Sequence, residues 1–443
     1  MLDVNRPNIN LAFFFLSCAL VGLTAGPAMA APAPTHQTLR VTEKILYRFQ
    51  GGSDGAHPRG GVVMDGAGNL YGTASGIRFS GGKACRACGT VFEISTRSHT
   101  EALLHAFSGG NDGSHPTAGL ILDRAGDLYG VTQYGGSGCT TSYITGCGTV
   151  FEIPAHSRSE RILHSFSAGD GWAPDGGLIA DGTGNLYGTT SSGGCRNGFG
   201  GCGTVFEIAA GTHKETIFGR GGDIDGFPRG RLIMDRAGNL YGTTWMRNLQ
   251  SHISGTLFAI VAGTREPKIL HKFSGGRDGD TPNGDLVVDS EGDLYGTTQF
   301  GGGFCDSGNS PGVDALGCGT VFEISAGSHK ETIWYHFNGG SDGMDPRGGL
   351  IRDSAGNVYG TTYSGGVNCS FGCGTVFEIA ADTHEETVLY RFKGGRDGAG
   401  PEGELFMDSA GNLYGTTFSG GSNCQREMEL GPGCGTVYEI IRK

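Results

Sequence analysis

From about residue 43 onward, short β-branched and aromatic runs alternate with Gly, Asp and Asn, and no stretch sustains a helical period. In one representative unit the runs cover 349–353 (GLIRD), 357–362 (NVYGTT), 374–379 (GTVFEI) and 386–392 (ETVLYRF). Each has the length and composition of a short strand, bounded by turn residues. The Leu/Val-Tyr-Gly triplet of the second run recurs at Leu70, Leu128, Leu186, Leu240, Leu294, Val358 and Leu413, with spacings of 58, 58, 54, 54, 64 and 55 residues. Seven four-stranded units of this size predict an all-β fold, a seven-bladed β-propeller of antiparallel blades.

The phase of the repeat predicts how the ring closes. With GLIxD innermost and ETVLYRF outermost, the array begins with an orphan outer strand, 44–49, and ends with an orphan third strand, 435–440. Pairing the two completes the last blade with the N-terminal strand and removes the exposed sheet edges of an open array. Between the first two strands of every unit, D-x-x-G-[N/D] supplies an Asp that bonds its own backbone and a Gly that accepts positive φ. These Asp residues are therefore read as turn formers ahead of calcium ligands.

Composition adds a compartment. Residues 1–30 have the form of a cleaved signal peptide: Arg6, an apolar core from Leu11 to Leu23, and Ala28-Met29-Ala30 before the cut. A core of about 13 apolar residues is short for a membrane span, and no later stretch is long enough. Residues 31–42 form a short extension and 43–443 the single propeller domain, expected to be secreted or periplasmic and monomeric.

Apart from Cys18, twelve cysteines fall into six local pairs: Cys85/Cys88, Cys139/Cys147, Cys195/Cys202, Cys305/Cys318, Cys369/Cys373 and Cys424/Cys434. Each pair occupies the same segment of its repeat, which predicts within-repeat disulfides. Zinc would need pairs from neighbouring repeats to converge, and a redox pair would not be written six times at different spacings. The net charge of −12, with no basic run, argues against nucleic acid as a partner. No cofactor and no metal are expected.

The units GGLIxDxxGNLYGTTxxGG and GCGTVFEI resemble the GloVer tandem repeat of secreted or surface-anchored bacterial proteins, over about 400 of the 443 residues. The resemblance implies an extracellular propeller-like array and brings no catalytic residues with it.

Function is sought where the repeats differ. The residue after the DGxxP proline begins the inner strand at the channel mouth, and around the ring it is Arg59, Thr117, Asp175, Arg229, Asn283, Arg347 and Glu402. Two positions on, Gly gives way to Arg231, Asp285 and Glu404. Arginine forks suit carboxylates or sulfates, and Asp or Glu beside them accept sugar hydroxyls or move protons. The alternative is a solvated rim of ion pairs that neutralise one another. Blade four replaces the cysteine loop with 245–252, where Trp245, Arg247 and His252 are candidates for a ligand wall, as is Trp172 before blade three. His57 and His115 are read as surface residues.

Two classes of function remain. One is a binding or scaffold propeller that recognises an extracellular polysaccharide or a protein on its loop face; the other is a polysaccharide lyase or glycoside hydrolase on the same scaffold. Binding is favoured, because no acid/base pair stands out against the repeat background.

Overall fold

The computed structural model describes residues 40–76, 88–139, 146–155, 157, 159–194, 203–245, 254–303, 305, 317–366, 373–421 and 433–443. They form seven antiparallel sheets in a ring, a seven-bladed β-propeller, each sheet with four strands in inner-to-outer order. Blades four and five add a short extra strand, Phe227–Pro228 and Asp280–Pro282, beside the second strand. Blade seven is closed as the repeat phase predicts: the N-terminal strand Val41–Arg48 pairs antiparallel with Thr436–Arg442. Inner strands are shorter than the sequence pattern implies, only Ile351–Arg352 in blade six. The reason is crowding at the axis, where a Cβ on Gly348 would stand 2.7 Å from the Gly403 carbonyl oxygen of the next blade.

The repeated residues build and join blades. In the first turn, Asp65 Oδ1 accepts from the backbone N–H of Ala67 and Asn69 (2.9 and 2.8 Å), and Oδ2 accepts from Asn69 Nδ2 and the Tyr71 hydroxyl (both 3.0 Å). Asp181, Asp235, Asp353 and Asp408 repeat this arrangement, so the turn-former reading holds. The Gly of LYG is the seat of an aromatic ring: a Cβ on Gly296 would lie 2.6 Å from the Phe322 ring. The first Thr of GTT reaches the next blade, as Thr73 Oγ1 donates to Ala118 O (2.8 Å) and Thr416 Oγ1 to Gly60 O (2.9 Å). The second Thr pairs within the blade, Thr190 with Thr204 and Thr417 with Thr436, at 2.9 Å each.

The core is not one mass but seven clusters, one at each blade junction. Leu257, Phe273 and Tyr241 of blade four, for example, pack on Leu286, Leu294, Phe322 and Ile324 of blade five. The closing junction is built the same way, with Leu46, Phe49, Tyr414 and Val437 against Leu70, Phe92 and Ile94. Burying whole apolar side chains at about 1.5 to 3 kcal/mol each makes every junction a large fraction of the stability.

Cys139–Cys147 and Cys305–Cys318 form disulfides within their repeats, with Cα atoms 5.4 and 5.1 Å apart. Cys88, Cys373 and Cys434 are also disulfide-bonded. Cys85, Cys195, Cys202, Cys369 and Cys424 lie outside the described residues, as do Arg247, His252 and the expected signal peptide. Among the described residues no helix is long and apolar enough to cross a membrane.

Candidate functional site

The variable positions at the start of the inner strands converge. Arg59, Thr117, Asp175, Arg229, Asn283, Arg347 and Glu402 all line one cavity of about 490 Å³ at the channel mouth, with Arg231, Asp285 and Glu404 deeper in it. Period-2 alternation puts both rings on the channel side, because the intervening glycine packs against the neighbouring blade.

In the upper ring each arginine is stacked on an aromatic ring. Arg347 lies 3.8 Å from the Tyr363 centroid, Arg59 4.7 Å from Phe418 and Arg229 5.3 Å from Trp245. Stacking of this kind contributes roughly 0.5 to 2 kcal/mol and holds the guanidinium plane in place. The three differ in how far they are already engaged. Arg347 donates to both oxygens of Asp345 (2.8 to 3.1 Å) and to Glu402 Oε1 (2.9 Å), and is committed. Arg59 and Arg229 stand 3.8 Å from their carboxylates, Glu402 and Asp175, with side chains 40 % and 43 % exposed. Those distances exceed hydrogen-bond range, so both forks keep N–H groups for another acceptor.

Asp175 is 14 % exposed and accepts from Gln133 Nε2 at 2.6 Å. Burial pushes its carboxyl up against the opposing pull of Arg229. Burial likewise raises Asp345, with Arg347 opposing.

Lower down, Arg231 of blade four crosses the channel. Its backbone N–H donates to Asp285 Oδ1 (2.6 Å), its Nε lies 3.4 Å from Asp285 Oδ2, and its Nη2 donates to the Glu404 carboxylate of blade seven. Glycines in other blades make the room: a Cβ on Gly349 would come 2.5 Å from the Asp285 Cβ, and one on Gly177 would come 3.1 Å from Arg231 Cδ. Burial drives the Glu404 carboxyl up while Arg231 draws it down. Arg231 also lines a second cavity of about 630 Å³ bordered by the turn residues Asp65 and Asp123, so the ion pair forms a waist between the two.

Trp245 lines the cavity, whereas Trp172 is not among its lining residues. Trp172 is half-buried against the cluster of Val131, Val150, Phe166 and Leu178, and its backbone bridges to Ser192. His57 is corrected outright: it is 5 % exposed, stacked on Phe418 at 4.7 Å with Nδ1 3.0 Å from the Phe418 carbonyl oxygen. A positive φ of 56° turns it inward under the loop. His115 is half-buried, edge-on to Tyr134 at 5.6 Å. The sequence reading missed Gln133, Gln299 and Phe300 in the cavity wall, and the Tyr363 and Phe418 platforms behind the arginines. A signal was present, since the residue after GTT or GVT varies from blade to blade just as the post-proline residue does.

Among curated proteins none matches this chain. Solved structures that resemble it include oligogalacturonate lyase from Vibrio parahaemolyticus, at 9% identity and TM-score 0.53, covering 91% of this chain and 96% of that one. Another is the extracellular domain of a protein described as a one-component system from B. thetaiotaomicron, at 12% identity and TM-score 0.50, covering 90% of this chain and 41% of that one. At such identities the likeness shows the propeller fold alone. The model of the Gloeobacter/Verrucomicrobia repeat matches residues 34–197, 87–311 and 307–442. Those matches run through all seven blades, and the chain belongs to the Gloeobacter/Verrucomicrobia repeat family.

Proposed function

We propose that this is an exported binding propeller whose channel mouth takes an anionic, polyhydroxylated ligand, such as the carboxylated end of an extracellular polysaccharide. The observation that carries the reading is the pair of half-engaged arginines, Arg59 and Arg229. Each is backed by an aromatic ring and held 3.8 Å from its carboxylate, in one cavity. A ligand carboxylate replacing those loose contacts gains charge-assisted hydrogen bonds of about 1.5 to 3 kcal/mol each. Asn283 offers an amide to hydroxyls, and Trp245 offers a ring face. Disulfides within the repeats support an oxidising compartment.

An enzymatic version is favoured by one feature, Asp175. Its carboxyl is raised by burial beside Arg229 in the same cavity, the condition of a general acid. In that version the protein is a polysaccharide lyase or a glycoside hydrolase.

A glycan array probed with the mature protein tests the proposal. Uronic-acid or sulfated oligosaccharides should bind, and Arg59→Ala and Arg229→Ala should each weaken binding at least tenfold. Equal binding of neutral glycans, or full binding by both variants, would overturn the reading. Incubation with any bound polymer, followed for unsaturated products or new reducing ends, separates binding from turnover.

A further inference from the structure

Away from the channel, at the outer edge where one blade meets the next, one arrangement recurs. The outer strand of a blade presents a His or Tyr, the loop that follows presents the Asp of GGxDG or its counterpart, and the next blade's outer strand opens with a Glu. At three junctions the first residue is His; one is His105, 3.6 Å from Asp112 and followed by Glu160, and at the other two the three groups draw together: His164, Asp170 and Glu215, and His271, Asp278 and Glu331. In each trio the imidazole nitrogen and two carboxylate oxygens all lie within 4.8 Å of one another.

With both acids ionised, hydrogen bonding does not complete these trios. His271 Nε2 faces Asp278 Oδ1 at 3.2 Å and Glu331 Oε1 at 3.9 Å. His164 Nε2 faces Asp170 Oδ2 at 3.3 Å and Glu215 Oε2 at 3.8 Å. One ring nitrogen carries at most one proton, so it serves one carboxylate and leaves the two acids against each other. Glu215 Oε1 and Glu331 Oε1 are wholly buried with no hydrogen-bond partner among the described residues, on side chains only 12 % and 13 % exposed.

Each Asp is also oriented for the task. Asp278 Oδ2 accepts from Ser274 N–H and Oγ (2.5 and 2.7 Å), and Asp170 Oδ1 accepts from Ser167 N–H and Oγ (2.5 and 2.9 Å). The other oxygen is thereby turned to the imidazole, as outer-shell bonds orient a metal ligand. Oxygen and nitrogen ligands at about 2.1 Å from a shared ion stand roughly 3 to 3.5 Å apart; the His–Asp distances of 3.3 and 3.2 Å match this, and each Glu, at 3.8 and 3.9 Å from its imidazole, would close in on the ion.

We propose that His164, Asp170 and Glu215, and separately His271, Asp278 and Glu331, bind divalent cations that tie blade two to three and blade four to five. One imidazole with two carboxylates suits a borderline first-row ion such as Zn²⁺ or Mn²⁺ over Ca²⁺, with water filling the remaining positions. Junctions with Tyr in place of His supply the contrast. Tyr335 donates its hydroxyl to Asp342 Oδ2 (3.1 Å) and lies 3.5 Å from Glu386 Oε2, and Tyr390 does the same with Asp397 (2.7 Å) and Glu43 (3.5 Å). A neutral hydroxyl in that place makes a hydrogen-bonded junction of the same shape with no nitrogen ligand.

The test uses the mature protein dialysed against chelator and titrated calorimetrically with Zn²⁺, Mn²⁺ and Ca²⁺. The expected result is two equivalents of Zn²⁺ or Mn²⁺, with a rise in melting temperature. His164→Tyr and His271→Tyr borrow the residue of the tyrosine junctions, which guards the fold; each should remove one equivalent, and the double variant both. Failure of Zn²⁺ and Mn²⁺ to bind, an unchanged stoichiometry in the double variant, or binding of Ca²⁺ in preference would overturn the proposal. None of these outcomes depends on the channel-mouth ligand.

Discussion

Removing the Arg231 guanidinium would leave Glu404 and Asp285 facing each other across the channel waist, and the cost can be bracketed. A pair of unit charges about 4 Å apart interacts by ~4 kcal/mol at an effective dielectric of about 20. Desolvation opposes that gain, and side chains that remain 23 % and 21 % exposed are partly screened by channel water. Arg231→Met is therefore expected to cost about 2 to 3 kcal/mol, mostly from two carboxylates left without their cation. Glu404→Gln should cost only about 1 kcal/mol, because Asp285 still holds Arg231. In the double variant one of the two stranded charges is gone, so the coupling should be about 1 to 2 kcal/mol in favour of the pair. Urea unfolding of the four proteins at neutral pH measures it, provided the slopes agree. Additivity within about 0.5 kcal/mol would refute the transannular pair as an energetic contact.

Three further outcomes follow from the blades. Cys139→Ser and Cys305→Ser, opening links over sequence separations of 8 and 13, should each lower unfolding stability by about 2.5 to 3 kcal/mol, and reductant, which also opens the bonds of Cys88, Cys373 and Cys434, should lower the parent protein by more. Gly296→Ala forces a Cβ to 2.6 Å from the Phe322 ring and should cost at least about 1 to 3 kcal/mol by overpacking; an unchanged denaturation midpoint would show that the ring moves freely. Stability should also pass through a maximum in mild acid. Burial, with Asp397 and Asp342 alongside, pushes Glu43 and Glu386 up from 4.5 to about 7 and about 8, so their contribution is absent above about 8 and grows as pH falls towards 4.5. Asp181 runs the other way: burial raises it, but bonds from Thr183 and Asn185 prevail and hold it at about 2, so its contribution is lost as pH falls from 3.8 to about 2. Calorimetry on chelated protein should show the melting temperature rising from about pH 8 to about 5 and falling below about 4; a steady decline from pH 8 downward would contradict the signs.

The repeat was legible because its determinants are local. Alternating strands, the Asp of each turn, the glycines and the cysteine spacings act within one unit or between adjacent units, and their copying from unit to unit carried the fold and its closure by Val41–Arg48. The candidate cavity was legible for a related reason: departures from a repeat mark positions that the blade does not need, and period-2 geometry sends them to the channel.

What the tertiary structure alone decided are the partnerships between departures. Arg231 and Glu404 lie 173 residues apart, and only closure of the ring brings blade four opposite blade seven. Tyr363 and Phe418 became platforms because the loop before each inner strand folds back over the residue after GTT, which is also what buries His57. The His, Asp and Glu of each outer junction read in sequence as a strand residue, a turn former and a strand start, since no one of them shows its partners. Residue type and period determine which face a side chain takes; which side chain it meets there depends on the angle at which seven blades close, and no single repeat encodes that angle.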